Sequence, residues 1–255
     1  MVGFDMQIKF INLNLWESGK LKENINKFLQ KEKPGILSLQ EVWHCSKSLE
    51  HIEITDLKNL LDLPYSIFSP TFATRKNGKK IVWGNAILSK FPIEENHTKF
   101  FVGSYLDNYV PKVKGDFRDL PRSFVSAEIS VNNTRLNVVN IHGVWGFDGE
   151  DNPNRLKMGK AVINEIKGKT NVILSGDFNT KPHTKSMRNI EKYLTNVFKD
   201  ELTTSFNMKR KNPPGGYSTA VVDMVFISPN IKVISHICPN VDISDHLPQV
   251  CVFET

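Results

Sequence analysis

At 255 residues, 40% hydrophobic and 24% charged, the chain has the composition of a globular protein with a sizeable core, and one domain over 1–255 accounts for it. No apolar run approaches the roughly 20 residues that cross a bilayer, which excludes a membrane-spanning helix. The net charge of +6 favours polyanionic partners, because neutralising phosphates drives association.

The opening "MVGFDMQIKFINLNLW" lacks the basic stretch and apolar run of a secretory leader, so a cytoplasmic protein is expected. Alternation over 7–15 predicts a half-buried strand. A helix follows in "SGKLKENINKFLQKEKPG", with Leu21, Ile25, Phe28 and Leu29 on one face and a stop at Pro34-Gly35. A short strand covers 36–40, and a second helix is predicted over 46–63, capped by Ser46 and striped by Leu49, Ile52, Leu57 and Leu60. The middle reads as strands: "YSIFSP", "KIVWGNAILS", "RSFVSAEISV" and "TRLNVVNIH", the last two joined by a turn at Asn132-Asn133. A helix opened by Pro153 carries Leu156, Ile163 and Ile166. The strand "TNVILSG" is next, then a helix through Met187, Ile190 and Leu194, and finally the strands "AVVDMVFIS", "IKVISHIC" and "QVCVFET". Segments 74–80, 106–121 and 207–216 read as basic surface loops, and "PPGGY" (213–217) as a turn. The three cysteines, Cys45, Cys238 and Cys251, are odd in number and lack metal-ligand spacing, so reduced, buried thiols are expected. Helices alternating with strands imply an α/β layered fold with helices outside the sheets.

Polar residues interrupt or follow the apolar strands at recurrent places. Asn14 lies within "NLNLW", Gln40-Glu41 closes "ILSLQEVW", and Asn140 and His142 close "LNVVNIH". Asp177 and Asn179 follow "NVILSG", Asp223 stands inside "VVDMVFIS", and Asp245-His246 precedes the last strand. Taken singly, each is more often a hydrogen-bonded buried group, a solvated carboxylate or a satisfied histidine. Together they are strand ends that a layered sheet brings to one rim. Carboxylates and amides without a cysteine cluster suit a hard cation such as Mg²⁺ or Mn²⁺. An Asp–His couple tunes an imidazole, and the set has the parts for hydrolysing a phosphate ester with an activated water. In "LSGDFNTKP", period-two alternation beyond Gly176 would turn Asp177 and Asn179 to one side and Phe178 to the other. No Gly-rich phosphate loop, dinucleotide fingerprint, His-Glu-x-x-His helix or Gly-x-Ser-x-Gly elbow is present.

The blocks "NLNLW", "LSLQEVW", "GNAILSKFPI", "VVNIHGVW", "LSGDFNTKP", "VDMVFIS" and "SDHLP", in that order, resemble the endonuclease/exonuclease/phosphatase superfamily of metal-dependent phosphodiesterases. That group includes deoxyribonucleases, abasic-site endonucleases, neutral sphingomyelinases, inositol polyphosphate phosphatases, deadenylases and tyrosyl-DNA phosphodiesterases. The resemblance implies a four-layer α/β-β/α sandwich of two mixed sheets flanked by helices. It implies Glu41 as principal Mg²⁺ ligand, Asn14 as the amide that hydrogen-bonds or helps hold the metal site, and Asp245 as an acid near the metal. Asp177 would orient or deprotonate the attacking water, and Asn179 would hold the phosphate or the nucleophile. His246 would stand at the scissile phosphate with Asp223 as its partner. His142 would donate to a phosphate oxygen or the leaving group, and its presence argues against the abasic-site branch. Arg122 resembles an arginine of some members that reaches the phosphate.

The resulting expectation is a Mg²⁺-dependent nuclease or related phosphodiesterase acting on DNA or RNA, with Mn²⁺ as a substitute metal. Basic loops and the aromatics Tyr105, Tyr109 and Trp145, available to stack on bases, support it. The alternatives are a phospholipid or inositol-phosphate phosphodiesterase or phosphatase on the same core, and a catalytically silent phosphate-binding module.

Overall fold

The strands that alternate, and the stretches that are apolar throughout, sort into two sheets for a simple reason: each must bury one face or both. A computed structural model describes residues 6–45, 51–76, 78–110, 112, 115–132, 134–211 and 219–254. Chain order is β1 (Gln7–Asn14), the single turn α1 (Trp16–Gly19), α2 (Lys22–Glu32), β2 (Ile36–His44), α3 (Ile54–Leu61), β3 (Tyr65–Lys76), β4 (Lys79–Ser89) and β5 (Ile93–Val102). There follow β6 (Arg122–Val131), β7 (Thr134–His142), α4 (Pro153–Ile166), β8 (Val172–Asp177), α5 (Lys185–Ile190), β9 (Thr195–Asn196), β10 (Asp223–Ile227), β11 (Lys232–Ile237) and β12 (Gln249–Glu254). One six-stranded sheet runs β11-β12-β1-β2-β4-β3 and the other β5-β6-β7-β8-β10-β9. Both are mixed, with parallel pairs β1–β2 and β7–β8.

Three apolar layers hold the stack. Phe10, Ile36, Ile87, Val125, Val138 and Phe253 meet between the sheets. Leu13, Ile25, Leu29, Leu39 and Leu57 join α2 and α3 to the first sheet, and Met158, Val162, Leu174, Met187 and Phe226 join α4 and α5 to the second. The four-layer sandwich expected from the sequence is therefore the observed architecture.

Toward one rim the middle layer turns polar. Gln40 Nε2 donates to Asn12 (2.9 Å) and to Asn140 (2.7 Å), and Asn140 Nδ2 donates to the carbonyls of Leu39 and Ala86 in the opposite sheet. Ser175 Oγ donates to Ser38 Oγ at 2.8 Å, and Gln249 Nε2 to the Asp223 carbonyl at 2.9 Å. All but the Gln40–Asn12 bond, which lies within the first sheet, join the two sheets, where burial without a partner would cost roughly 1–3 kcal/mol per group. Asn140 and Gln40 are thus framework residues.

Several elements depart from expectation. The helix over 46–63 is confined to Ile54–Leu61; Ser46 and Leu49 lie outside the described residues. Ile52 is held out of the helix because its N–H donates to the Ser18 carbonyl at 2.8 Å. Segment 74–80 is the tip of the β3–β4 hairpin and not a free loop. The strand β5 was not legible: it is an edge strand, exposed over Glu94–Lys99, and has no alternation to read. Leu156 is 41% exposed, while the buried face of α4 carries Arg155, Met158, Val162 and Ile166. Leu194 lies beyond α5, which stops at Ile190. The three basic residues of 106–121 are matched by Asp107, Asp116 and Asp119, so that segment is neutral overall. The Asn132-Asn133 turn and "PPGGY" fall wholly or partly outside the described residues, but Val131 pairs with Thr134 as a two-residue hairpin requires. Cys45 and Cys251 are buried, Cys238 is half-buried, and all three are free. No helix among the described residues is long and apolar enough to cross a membrane.

Candidate active site

The polar rim is built by strand direction. Parallel β1 and β2, and parallel β7 and β8, all end there, and their antiparallel neighbours β6, β10 and β12 all begin there. Register does the rest: His142 stands opposite Asp177, and Asp177 opposite Asp223, on three adjacent strands. Asn14 ends β1, Arg122 begins β6, and Asp245-His246 lie three to four residues before β12. Glu41 reaches the rim by a bulge. The β2–β4 register shifts between Leu39 and Val42, and Glu41 takes a left-handed φ of 57°. The bulge leaves Gln40 between the sheets while Glu41 turns toward Asn14.

Asp177 sits at the centre. Its Oδ2 accepts from Asn14 Nδ2 and from Asn179 Nδ2, both at 3.2 Å, and lies 3.6 Å from His142 Nε2 and 4.0 Å from His246 Nε2. Asp177 and Asn179 do converge, but not by alternation. The strand stops at Asp177, and Asn179 (φ 51°) folds back so that its N–H donates to Asp177 Oδ1 at 2.9 Å. Phe178 is buried in the helix-side layer and anchors the turn. Two glycines permit this close chain approach: a Cβ on Gly176 would fall 1.9 Å from the Ile141 carbonyl oxygen, and one on Gly143 2.0 Å from that of Phe178.

His246 Nδ1 bonds Asp223 Oδ2 at 2.8 Å, and the same carboxylate oxygen accepts from Ser205 Oγ at 2.7 Å. Asp177, Asp223 and His246 together offer three ligand atoms within 4.8 Å of one another. The His246–Asp223 bond already satisfies two of these, which favours a dyad there. The oxygen donors Glu41 and Asp245 stand beside this cluster and face one another. Asn14 Nδ2 lies 3.4 Å from Glu41 Oε1, while its Oδ1 accepts from the Trp16 N–H at 3.0 Å. Asn14 therefore steadies the carboxylates and turns its own oxygen away from them.

Charge is distributed to match. Burial, helped by the facing Asp245 carboxylate, raises the Glu41 pKa. Burial pushes Asp177 up to about 7; Asp223 and Glu41 add to this and His246 opposes it. Burial disfavours charge on His246, yet Asp223, Asp245 and Asp177 outweigh it and lift the imidazole to about 9. His142 is driven well below its ordinary value by burial, by Arg122 and by His246. One imidazole is thus a cation and the other a neutral donor or acceptor.

All nine residues given site roles from the sequence lie at this rim, each tied to it by bonds or by charge. Arg122, 6% exposed, lines the same cavity. Sequence reading missed three supports. Trp16, Glu17 and Ser18 form a left-handed turn (φ 51–56°) that aims the Glu17 N–H at Glu41 Oε2, 2.7 Å away. Ser18 Oγ secures that turn, donating to the Ile52 carbonyl and accepting from the Trp43 N–H, each at 2.9 Å. Lys211 Nζ meets Asp245 Oδ2 at 2.7 Å and sits 4.6 Å over the Phe206 ring. None of these has a motif; only Lys211, within a basic segment, left any signal. Of the aromatics flagged for stacking, Tyr109 and Trp145 line the cavity, whereas Tyr105 stands outside it and donates to Asp107.

A family model described as the Endonuclease/Exonuclease/phosphatase family matches residues 11–246. Members of that family are generally dependent on a divalent metal. The fold is similar to an endonuclease/exonuclease/phosphatase from Beutenbergia cavernae DSM 12333 (TM-score 0.72, 16% identity, covering 97% of this chain and 71% of that one). It is also similar to a mannosyl-6-phosphatase from Bacteroides thetaiotaomicron VPI-5482 (0.67, 19%, 96% and 99%) and to the human Nocturnin catalytic domain (0.65, 18%, 99% and 97%). No curated protein matches the chain.

Proposed function

Because the chain belongs to the endonuclease/exonuclease/phosphatase family, and so is a hydrolase of phosphoric ester bonds, we propose that it is a Mg²⁺-dependent phosphodiesterase of nucleic acid. The observation that carries the reading is the convergence of Glu41, Asp245, Asp177, Asn179 and His246, itself bonded to Asp223, on one cavity that also holds the Arg122 cation. The donors fit a hard cation: they are oxygens, and Glu41 and Asp245 repel one another across a site that a cation would neutralise. Glu41 and Asp245 would hold it, with Asn14 and the Glu17 N–H fixing Glu41. Bound there, Mg²⁺ (or Mn²⁺ in its place) supplies charge neutralisation on the phosphate and on the leaving oxygen.

The protein's own groups do the rest. Asp177, poised near neutrality, and Asn179 orient the attacking water. His246, kept charged by Asp223, faces the scissile phosphate, and Arg122 binds a non-bridging oxygen. His142, neutral, serves as hydrogen-bond donor to the phosphate or the leaving group.

The test is a substrate panel with Mg²⁺ or Mn²⁺: single- and double-stranded DNA, RNA, 5′-tyrosyl DNA, sphingomyelin and inositol phosphates. Cleavage of nucleic acid, lost with EDTA and falling steeply with salt, is expected. Turnover confined to lipid headgroups or inositol phosphates would replace this reading with the other branch of the family.

A further inference from the structure

The cavity beside the rim, of about 510 Å³, is within the size range of small-molecule sites, roughly 300–1,000 Å³. Three chain segments stand above the strand ends as its walls. On one side Phe72 and Trp83, from the β3–β4 hairpin, stack with centroids 5.5 Å apart at 16°, and Tyr109 meets Phe72 edge-on at 5.5 Å. A second cluster comes from the other two segments: Phe117 packs edge-on against Trp145 (5.6 Å), and Trp145 against Phe147 (4.9 Å). All six aromatic rings line the cavity.

These walls are fastened. The Ala73 N–H donates to the Leu106 carbonyl (2.8 Å) and the Tyr109 N–H to the Ala73 carbonyl (2.7 Å), which sews the 106–109 segment onto β3. Tyr109 OH donates to Asp119 at 3.0 Å. Behind Trp145 and Phe147, the fully buried Arg155 donates to the Val144 carbonyl (3.1 Å), to Asp148 (2.8 Å) and to the Glu150 carbonyl (2.5 Å). The Trp83 indole Nε1 is buried with no hydrogen-bond partner among the described residues, a donor left on a residue that lines the cavity.

We propose that this cavity receives a single nucleobase, so that the enzyme acts on a phosphate ester carrying one heteroaromatic ring, at a strand terminus or in a small nucleotide, and not within a duplex. The inference rests on the phosphoesterase reading above. Flat aromatic walls stack a base irrespective of its sequence. Among the described residues the Lys and Arg side chains lining the cavity are Arg122 and Lys211, which match one phosphate and are too few for an inositol polyphosphate. Fixed walls on several sides admit an end or a small molecule, whereas an internal base pair would have to leave its stack, at a cost of a few kcal/mol, about the worth of one stacking contact.

The test has a binding arm and a turnover arm. In EDTA, 2-aminopurine deoxyribonucleoside monophosphate should bind with quenched fluorescence. Phe147→Ala and Phe117→Ala, both at partly exposed wall positions, should each weaken that binding about tenfold. With metal present, kcat/KM for a dinucleotide should exceed that for the same ester lacking one base by about tenfold or more, and both variants should shrink that ratio. Linear single strands should be degraded from an end while closed circular duplex survives. Nicking of closed circles as fast as ends, or equal kcat/KM for base-bearing and base-free esters, overturns the proposal and leaves the phosphodiesterase reading standing. Turnover of sphingomyelin or inositol phosphates alone overturns both.

Discussion

The rim and the walls of the cavity are made differently. At the rim the central groups stand on strand ends and are placed by register: His142, Asp177 and Asp223 are cross-strand partners. Glu41 stands on the β2 bulge, Asn179 in the turn after β8 and Asp245-His246 on the approach to β12. The walls are carried by a hairpin and two connections, and they stand because of single anchors such as Arg155 and the Leu106–Ala73 bond. Chemistry that needs sub-ångström placement sits on the cooperative sheet; recognition that tolerates variation sits on locally braced segments.

The largest effects should come from the rim. Glu41→Ala or His246→Ala is expected to lower kcat on an activated phosphodiester such as bis-p-nitrophenyl phosphate by about 10³-fold. Circular dichroism should remain that of the folded protein, and near-wild-type turnover in either variant would remove it from the site. Asp223→Asn should cost about 10²-fold in kcat. In metal-free protein it should also move the His246 imidazole titration, followed by NMR, downward from about 9. The sign is set by the raised folded-state pKa. The charged pair stabilises the fold fully below the ordinary value of 6.5, and that contribution is lost as pH rises through about 9. An unmoved titration would mean that Asp223 does not hold the proton on the ring.

The walls should respond in stability and shape more than in chemistry. Arg155→Ala strands the Val144 and Glu150 carbonyls, and a loss of about 2–3 kcal/mol in urea unfolding is expected, with altered Trp145 fluorescence. A change below about 0.5 kcal/mol would show that the 144–150 segment stands without it. The smallest effect tests the joint between the sheets. Ser175→Ala removes the buried bond to Ser38 and should cost about 1 kcal/mol, measured by the same unfolding curve.

Much of this was legible in the chain before folding. The alternation of β1 and the apolar runs of β2, β8 and β10 declared the strands, and a polar residue breaking such a run is conspicuous wherever it falls. Asn14, Glu41, Asp177, Asp223 and His246 were all found that way. The edge strand β5 was hidden because an exposed strand carries no burial pattern. The left-handed turn at Trp16–Ser18 was hidden because its stability lies in distant partners, Ile52, Trp43 and Glu41, and not in any turn-forming residue. Arg155 gives no sign in the sequence of its burial, although it is the largest fully buried side chain among the described residues.

What the sequence by itself determined is the inventory: which buried strands exist, which acids, amides and imidazoles end or flank them, and that no cysteine or glycine motif competes. The tertiary structure alone decided how those groups share protons, because burial and the distances among Asp177, Asp223 and His246 set the charge on each. It also decided that Asn179 meets Asp177 through a left-handed turn and not through strand alternation. The shape of the cavity belongs to the same category. Six aromatic residues from three separate segments become one lining only when the sheets pack, since no local interaction links Phe72 to Phe147 along the chain.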